Sequence, residues 1–201
     1  LLELWSNTLQ LKINKSKCSI IHLGNNNINE QYQLGGSVLP DVDWVRDLGV
    51  TYNNKLCFQN HIDNIIAKAY QRIYLIFRSF VSRNQDLLKR AYTTYVRPML
   101  EYCTPIWSPH LSKDIARLES VQRYFTRRLF PKVTLAYDER LCILDLESLE
   151  LRRLKFDLIL YYRILNSFIN LDPEHFFVRS PTTYDTRSHH LQLEKQIFQN
   201  N

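Results

Sequence analysis

Residues Phe58 to Phe80 read FQNHIDNIIAKAYQRIYLIFRSF. Within this stretch Ile62, Ile65, Ile66, Ala69, Ile73, Ile76, Phe77 and Phe80 recur every three or four positions, which is the period of an α-helix that buries one face. Lys68 and Arg72 stand one helical turn apart off that stripe. Downstream the same period continues. Asn84 is placed to cap a second helix that carries Leu87, Leu88, Ala91, Tyr92, Tyr95 and Val96 and stops near Pro98. Pro105 and Pro109 bracket Trp107 in an irregular stretch, so the indole is expected to anchor neighbouring helices without belonging to one. A third helix is predicted over Ser112 to Phe130, with Ile115, Leu118, Gln122, Phe125 and Leu129 inward and Pro131 ending it. A short helical turn around Glu139 to Ile143 leads to a fourth helix over Leu146 to Phe168, expected to bury Leu151, Leu154, Leu158, Tyr161, Tyr162 and Leu165.

Upstream of Phe58 the pattern is mixed. Leu1, Leu4, Trp5 and Leu9 share a face of a short helix over residues 1 to 11, and the apolar run Cys18 to Leu23 reads as a strand. Gly24 and Asn25 to Asn27 make a turn. Tyr32 and Leu34, then Gly35-Gly36, then Val38 and Leu39 predict a hairpin, and a further strand is expected across Val45 to Tyr52. The fold class is therefore α+β and mostly helical, with short N-terminal antiparallel strands followed by a helical bundle. Three regions follow: residues 1–56, a helical unit over 57–169, and a polar tail over 170–201.

The 201 residues are 45% hydrophobic, which excludes global disorder. Met99 is the single methionine and the chain starts at Leu1, so a piece of a longer protein is expected. No run approaches a membrane span and no leader pattern opens the chain, from which an intracellular, membrane-free protein is expected. Cys18, Cys57, Cys103 and Cys142 lack metal-ligand or disulfide-framework spacing, and the doublet His189-His190 has no cysteine partners, so no metal site is assigned. The net charge of +6 is local. Residues 57–168 hold eighteen basic against eleven acidic side chains, and thirteen of the eighteen are arginine, whose planar fork suits phosphate.

Catalytic patterns are absent from the sequence. There is no glycine-rich phosphate loop, nucleophile elbow or His-Glu-x-x-His helix, and Asp138-Glu139 is read as helix-terminus chemistry. An independent enzyme is not expected.

Several segments occur in a familiar order. Leu4-Trp5, Leu11-Lys12-Ile13-Asn14 and Lys17-Cys18 come first, then Arg46-Asp47-Leu48-Gly49-Val50, then His61. Tyr95-Val96-Arg97-Pro98, Leu100-Glu101-Tyr102 and Trp107-Ser108-Pro109 follow. The series ends with Leu118-Glu119, Val121-Gln122-Arg123, Tyr137, Glu139-Arg140-Leu141, Leu149, Arg152-Arg153 and Thr186-Arg187-Ser188-His189. This series resembles the reverse transcriptases of jockey-like non-LTR retrotransposons, from just past the catalytic aspartates through the thumb. The resemblance implies an RNA-directed DNA polymerase fragment that grips an RNA template and a DNA primer. The catalytic aspartates would precede Leu1 in an upstream half, and magnesium would serve the intact enzyme, with no cofactor bound by this segment. A nuclear site of action is implied by the family alone.

On the same resemblance Lys17 matches a lysine of motif D, an auxiliary to pyrophosphate release, and it reads equally as an exposed loop cation. Asp47, Leu48, Gly49 and Val50 match the primer-grip hairpin, where a glycine lets backbone approach the primer; the plain alternative is a strand glycine. Lys68 and Arg72, and at the same spacing Arg123 and Arg127, can track phosphates or simply form solvated helix faces. Tyr70 and Tyr74 can stack on bases or pack helices together. Arg152-Arg153 lies beside Glu147 and Glu150, where ion pairing within the helix competes with phosphate binding. Trp5, Trp44 and Trp107 read as packing anchors. A helical protein-interaction module and a decayed, inactive element copy are the alternatives to a gripping segment.

Overall fold

A computed structural model describes residues 2–24, 26–178 and 194. The segment Thr186-Arg187-Ser188-His189 and the doublet His189-His190 lie outside the described residues, as does most of the predicted tail. The fold is α+β and mostly helical, as the periodicity predicts.

Leu2–Thr8 forms helix α1, but its apolar side chains find no cover: Leu4 and Trp5 are exposed. The strand expected over Cys18 to Leu23 does not form. Lys15–Lys17 makes one 3-10 turn, and the run then meets only an isolated parallel bridge, Ile20 with Asp41. A strand propagates only where a neighbour keeps supplying partners, and here the exchange ends after the Ile20–Pro40 and Val42–Ile20 backbone bonds.

The strands form two separate hairpins and not one sheet. In the first, β1 (Gln33–Leu34) pairs with β2 (Ser37–Val38), with Gly35 and Gly36 both at positive φ in the turn, as two-residue hairpin turns require. In the second, β3 (Trp44–Asp47) pairs antiparallel with β4 (Val50–Asn53). The single strand predicted over Val45 to Tyr52 is thus folded back on itself. Its turn residues, Leu48 and Gly49, both take positive φ, a conformation that a leucine seldom signals in advance.

The helices begin with α2 (Gln59–Ser79), which buries Ile62, Ile65, Ala69, Ile73, Ile76 and Phe77 as predicted. In α3 (Gln85–Tyr95), the Asn84 Oδ1 accepts from the Leu87 amide at 3.0 Å. Leu88, Ala91 and Tyr92 point inward while Leu87 and Tyr95 stay exposed. As expected, α3 ends near Pro98, at Tyr95, and the proline opens the next helix. It sits in the first turn of α4 (Arg97–Glu101), where a missing N–H removes no helical bond. The stretch expected to be irregular holds the short helix α5 (Thr104–Trp107), so Trp107 ends a helix as well as anchoring one. Its indole is buried and donates to the Tyr102 carbonyl at 2.8 Å.

Helix α6 (Ser112–Leu129) crosses α2 and α7 (Tyr137–Leu144) and closes the core with Leu118, Val121 and Phe125. Tyr92 stacks on Phe125 with ring centroids 4.3 Å apart. Helix α8 (Leu149–Leu165) starts at Ser148, whose hydroxyl caps the Leu151 amide, and packs on α5 and α6. Its expected inward row is wrong. Leu149, Arg153 and Ile164 are buried, whereas Leu151, Leu154, Leu158 and Tyr162 are exposed and Tyr161 and Leu165 are half-buried. The helix is apolar on much of its circumference, so period alone does not choose the buried side.

Candidate nucleic-acid interface

The hairpin β3–β4 is seated on α2. Val50 is 4% exposed and joins the helical core, and the Thr51 amide donates to His61 Nδ1 at 3.4 Å. The turn beyond Val50 projects outward: Leu48 is 82% exposed, and Asp47 and Gly49 are exposed beside it. Tyr102 clips this turn, its hydroxyl donating to the Leu48 carbonyl at 2.9 Å. Gly49, at φ +91°, lets the backbone reverse there. Of the four predicted hairpin residues, Asp47, Leu48 and Gly49 present a surface, and Val50 holds that surface to the helices.

Lys68 and Arg72 are exposed on α2, and among the described residues neither forms an ion pair. His61, one flank over, has its pKa lowered chiefly by burial and then by the charges of Arg46 and Lys68. The charges of Arg46 on β3 and Lys68 on α2 both act on the His61 ring, so Arg46 is considered with Lys68 although spacing alone does not single it out.

The structure does not bring Arg123 and Arg127 to this flank. Tyr70, on α2, shares a 3.0 Å hydrogen bond with Ser120 of α6 and meets Tyr124 edge-on. Lys68 and Arg72 are each two residues from Tyr70, about 160° around the helix, and so face away from α6. Tyr70 is a packing tyrosine; Tyr74 is exposed.

Arg123 and Arg127 instead line a second basic feature, an open basin of about 1030 Å³ walled by the C-terminal half of α6, residues 130–135 and the start of α7. Arg128, Lys132 and Arg140 add to its charge, and among the described residues no carboxylate lines it. The arginines are positioned by neutral groups. Arg123 lies over the Tyr137 ring at 4.7 Å, and Arg128 lies over Phe77 at 4.5 Å and donates to the Tyr124 hydroxyl at 2.8 Å. Arg140 donates to Thr126 Oγ1 at 3.2 Å and the Leu135 carbonyl at 2.7 Å. Elsewhere Arg117, Arg152 and Lys155 are neutralised by Asp63, Glu101 and Glu147.

Lys17 is exposed in the 3-10 turn; Lys15, not Lys17, reaches the first hairpin, at the Gly35 carbonyl. Arg152 pairs with Glu101 across helices as well as with Glu147 of its own approach segment, and Arg153 is buried with both terminal nitrogens unbonded. Among the described residues no group of three or more His, Cys, Asp or Glu is placed to hold a metal ion. No helix among the described residues is long and apolar enough to cross a membrane.

Two positioning residues were not among the candidate site residues, although helical spacing turns Gln122 inward and both fall in the resembling series. Glu119, 5% exposed, accepts from the Tyr137 hydroxyl and from the Leu149 and Glu150 amides at 3.2 Å, capping α8 from another helix. Gln122 accepts from the Tyr92 hydroxyl and donates to Tyr137 and the Glu147 carbonyl. Together they fix the tyrosine on which Arg123 rests.

No family model matches the chain, and no solved structure matches it. An uncharacterized protein of Caenorhabditis elegans is 29% identical over 125 residues, 61% of this chain and 63% of that protein. The chain thus spans a little under two thirds of the length of this curated relative.

Proposed function

We propose that this chain is a gripping segment of an RNA-directed DNA polymerase of the non-LTR retrotransposon type, which holds an RNA template and a DNA primer and carries none of the catalytic aspartates. The reading rests on the resemblance in segment order. One structural observation supports it: an outward, glycine-containing hairpin is seated on α2, the helix that carries exposed Lys68 and Arg72, neither of them ion-paired among the described residues. Backbone at the turn can meet the primer closely, and the cations can meet phosphates, a division in which shape and charge position the duplex without reading sequence.

The test is binding of the full chain to a primed RNA template across a salt series, alongside Lys68→Glu/Arg72→Glu. Each lost phosphate contact should lower the salt slope by about one. The expected result is steep salt dependence for the parent and a slope reduced by about two in the variant. Salt-insensitive binding, or a variant indistinguishable from the parent, rules the grip out.

A further inference from the structure

We infer that the α6–α7 basin is a second nucleic-acid site, on the flank of the bundle away from Lys68 and Arg72, and that it takes the phosphodiester backbone of a single strand. The site goes beyond the hairpin grip and does not need it.

Charge is the first argument. Arg123, Arg127, Arg128, Lys132 and Arg140 converge on one concavity with no carboxylate in its lining, and among the described residues none of the five is ion-paired. Arg127 and Arg128 lie in the last turn of α6, where cations also answer the helix dipole. That account does not extend to Arg123, Lys132 or Arg140, which come from three different parts of the wall. Of the nearby acids, Glu139 accepts from the Ala136 amide at 2.7 Å, Glu119 is turned inward to cap α8, and Asp138, exposed in the first turn of α7, is outside the lining.

Preorganisation is the second. Three guanidiniums are held by aromatic rings, a hydroxyl and a carbonyl, which fix geometry without cancelling charge. A ligand meeting them loses little side-chain freedom, and planar forks of this kind match phosphate oxygens two at a time. Arg123 and Arg127 are one turn apart, about 6 Å along α6, the scale of the step between neighbouring phosphates on an extended strand.

Shape selects the strand. A duplex offers its phosphates on a convex, stiff surface that bridges a hollow of about 1030 Å³, whereas a flexible strand can enter it. Tyr124, 40% exposed, lines the basin among these cations, and an aromatic side chain is the usual companion of a basic groove for single strands.

The experiment titrates the full chain with a labelled twelve-nucleotide RNA, a DNA of the same sequence, and the corresponding RNA duplex. Each is also run with Arg127→Gln/Lys132→Gln, two exposed side chains with no bonded partner among the described residues, and with Lys68→Glu/Arg72→Glu. The basin variant should lose single-strand affinity at least ten-fold and duplex affinity less than two-fold, while the α2 variant leaves single-strand binding within about two-fold. RNA and DNA strands weakened equally assign the contact to the shared phosphodiester; a loss on one alone assigns it to that sugar. Equal loss on strand and duplex, no loss on either, or displacement of the strand by a poly-glutamate peptide as readily as by unlabelled oligonucleotide overturns the inference. Failure of the primed-template test with intact strand binding would remove the grip and leave this site standing.

Discussion

Tyr102 holds Leu48: the phenol at the end of α4 donates to the carbonyl at the crest of the β3–β4 turn across 2.9 Å, linking residues 54 positions apart. Removing the hydroxyl with Tyr102→Phe is expected to cost about 0.5–1 kcal/mol, because the bond is exposed to competing water. Hydrogen exchange should accelerate at the β3–β4 amides and stay unchanged in α2 and α6. Gly49→Ala should cost more, about 1–2 kcal/mol, since the φ of +91° strains any side chain even though the added carbon meets Tyr102 only at 3.5 Å.

His61 makes stability depend on pH between its ordinary and its depressed pKa. Burial first, and then Arg46 and Lys68, keep the folded imidazole neutral below its usual 6.5. Its Nδ1 accepts from the Thr51 amide while its ring meets Trp107 edge-on. The unfolded chain binds the proton more readily, so stability is fully present above about pH 6.5, falls as pH drops, and levels off below the folded pKa. Urea unfolding at stepped pH should show this slope in the parent and not in His61→Gln. Lys68→Glu should shrink it by removing one of the repelling charges. The acid limb from Asp63, whose carboxyl is held low by its bond to Arg117, lies at lower pH and should survive both changes.

Glu119 carries more than its place on α6 suggests. Its carboxylate satisfies two amides at the start of α8 and the Tyr137 hydroxyl, the first of them, at Leu149, fully buried. Glu119→Ala orphans those donors and is expected to cost about 2–3 kcal/mol. Glu119→Gln keeps an acceptor but not its charge and should cost roughly half as much. Thermal unfolding measures both. Because Tyr137 supports Arg123, the alanine variant should also weaken single-strand binding at the basin.

Helices α2 and α6 were legible because each has one apolar stripe and one polar face, so the 3.6-residue period states both the element and its orientation. Asn84 announced its cap for the same local reason. The hairpins were only half visible. Gly35-Gly36 is a turn dipeptide, whereas the run around Leu48-Gly49 reads by pattern as one strand and only the primer-grip resemblance implies the hairpin found there. Cys18 to Leu23 has strand composition but lacks a neighbour to pair with, and composition cannot report a missing neighbour. The candidate site divides likewise. Charge excess in the middle of the chain foretold a basic surface, but Lys68-Arg72 and Arg123-Arg127 share a spacing without sharing a face, and Lys132 and Arg140 join the basin only through the turn at Pro131 and the packing of α7 on α6.

The outer row of α8 gives the remaining prediction. Leu151, Leu154, Leu158 and Tyr162 follow helical spacing yet are between 43% and 58% exposed, so the folded chain leaves this row largely in contact with water. Side chains that stay wet on folding contribute little to stability, and replacing them should shift it by no more than about 0.5 kcal/mol. They do, however, offer a contiguous apolar surface that water disfavours, and such surfaces associate as concentration rises. Leu154→Glu/Leu158→Glu is therefore expected to leave the unfolding midpoint nearly unchanged while abolishing concentration-dependent association in sedimentation. A large drop in the midpoint would mean that the row is covered when the chain is folded in solution, and that α8 sits there with a different face turned inward.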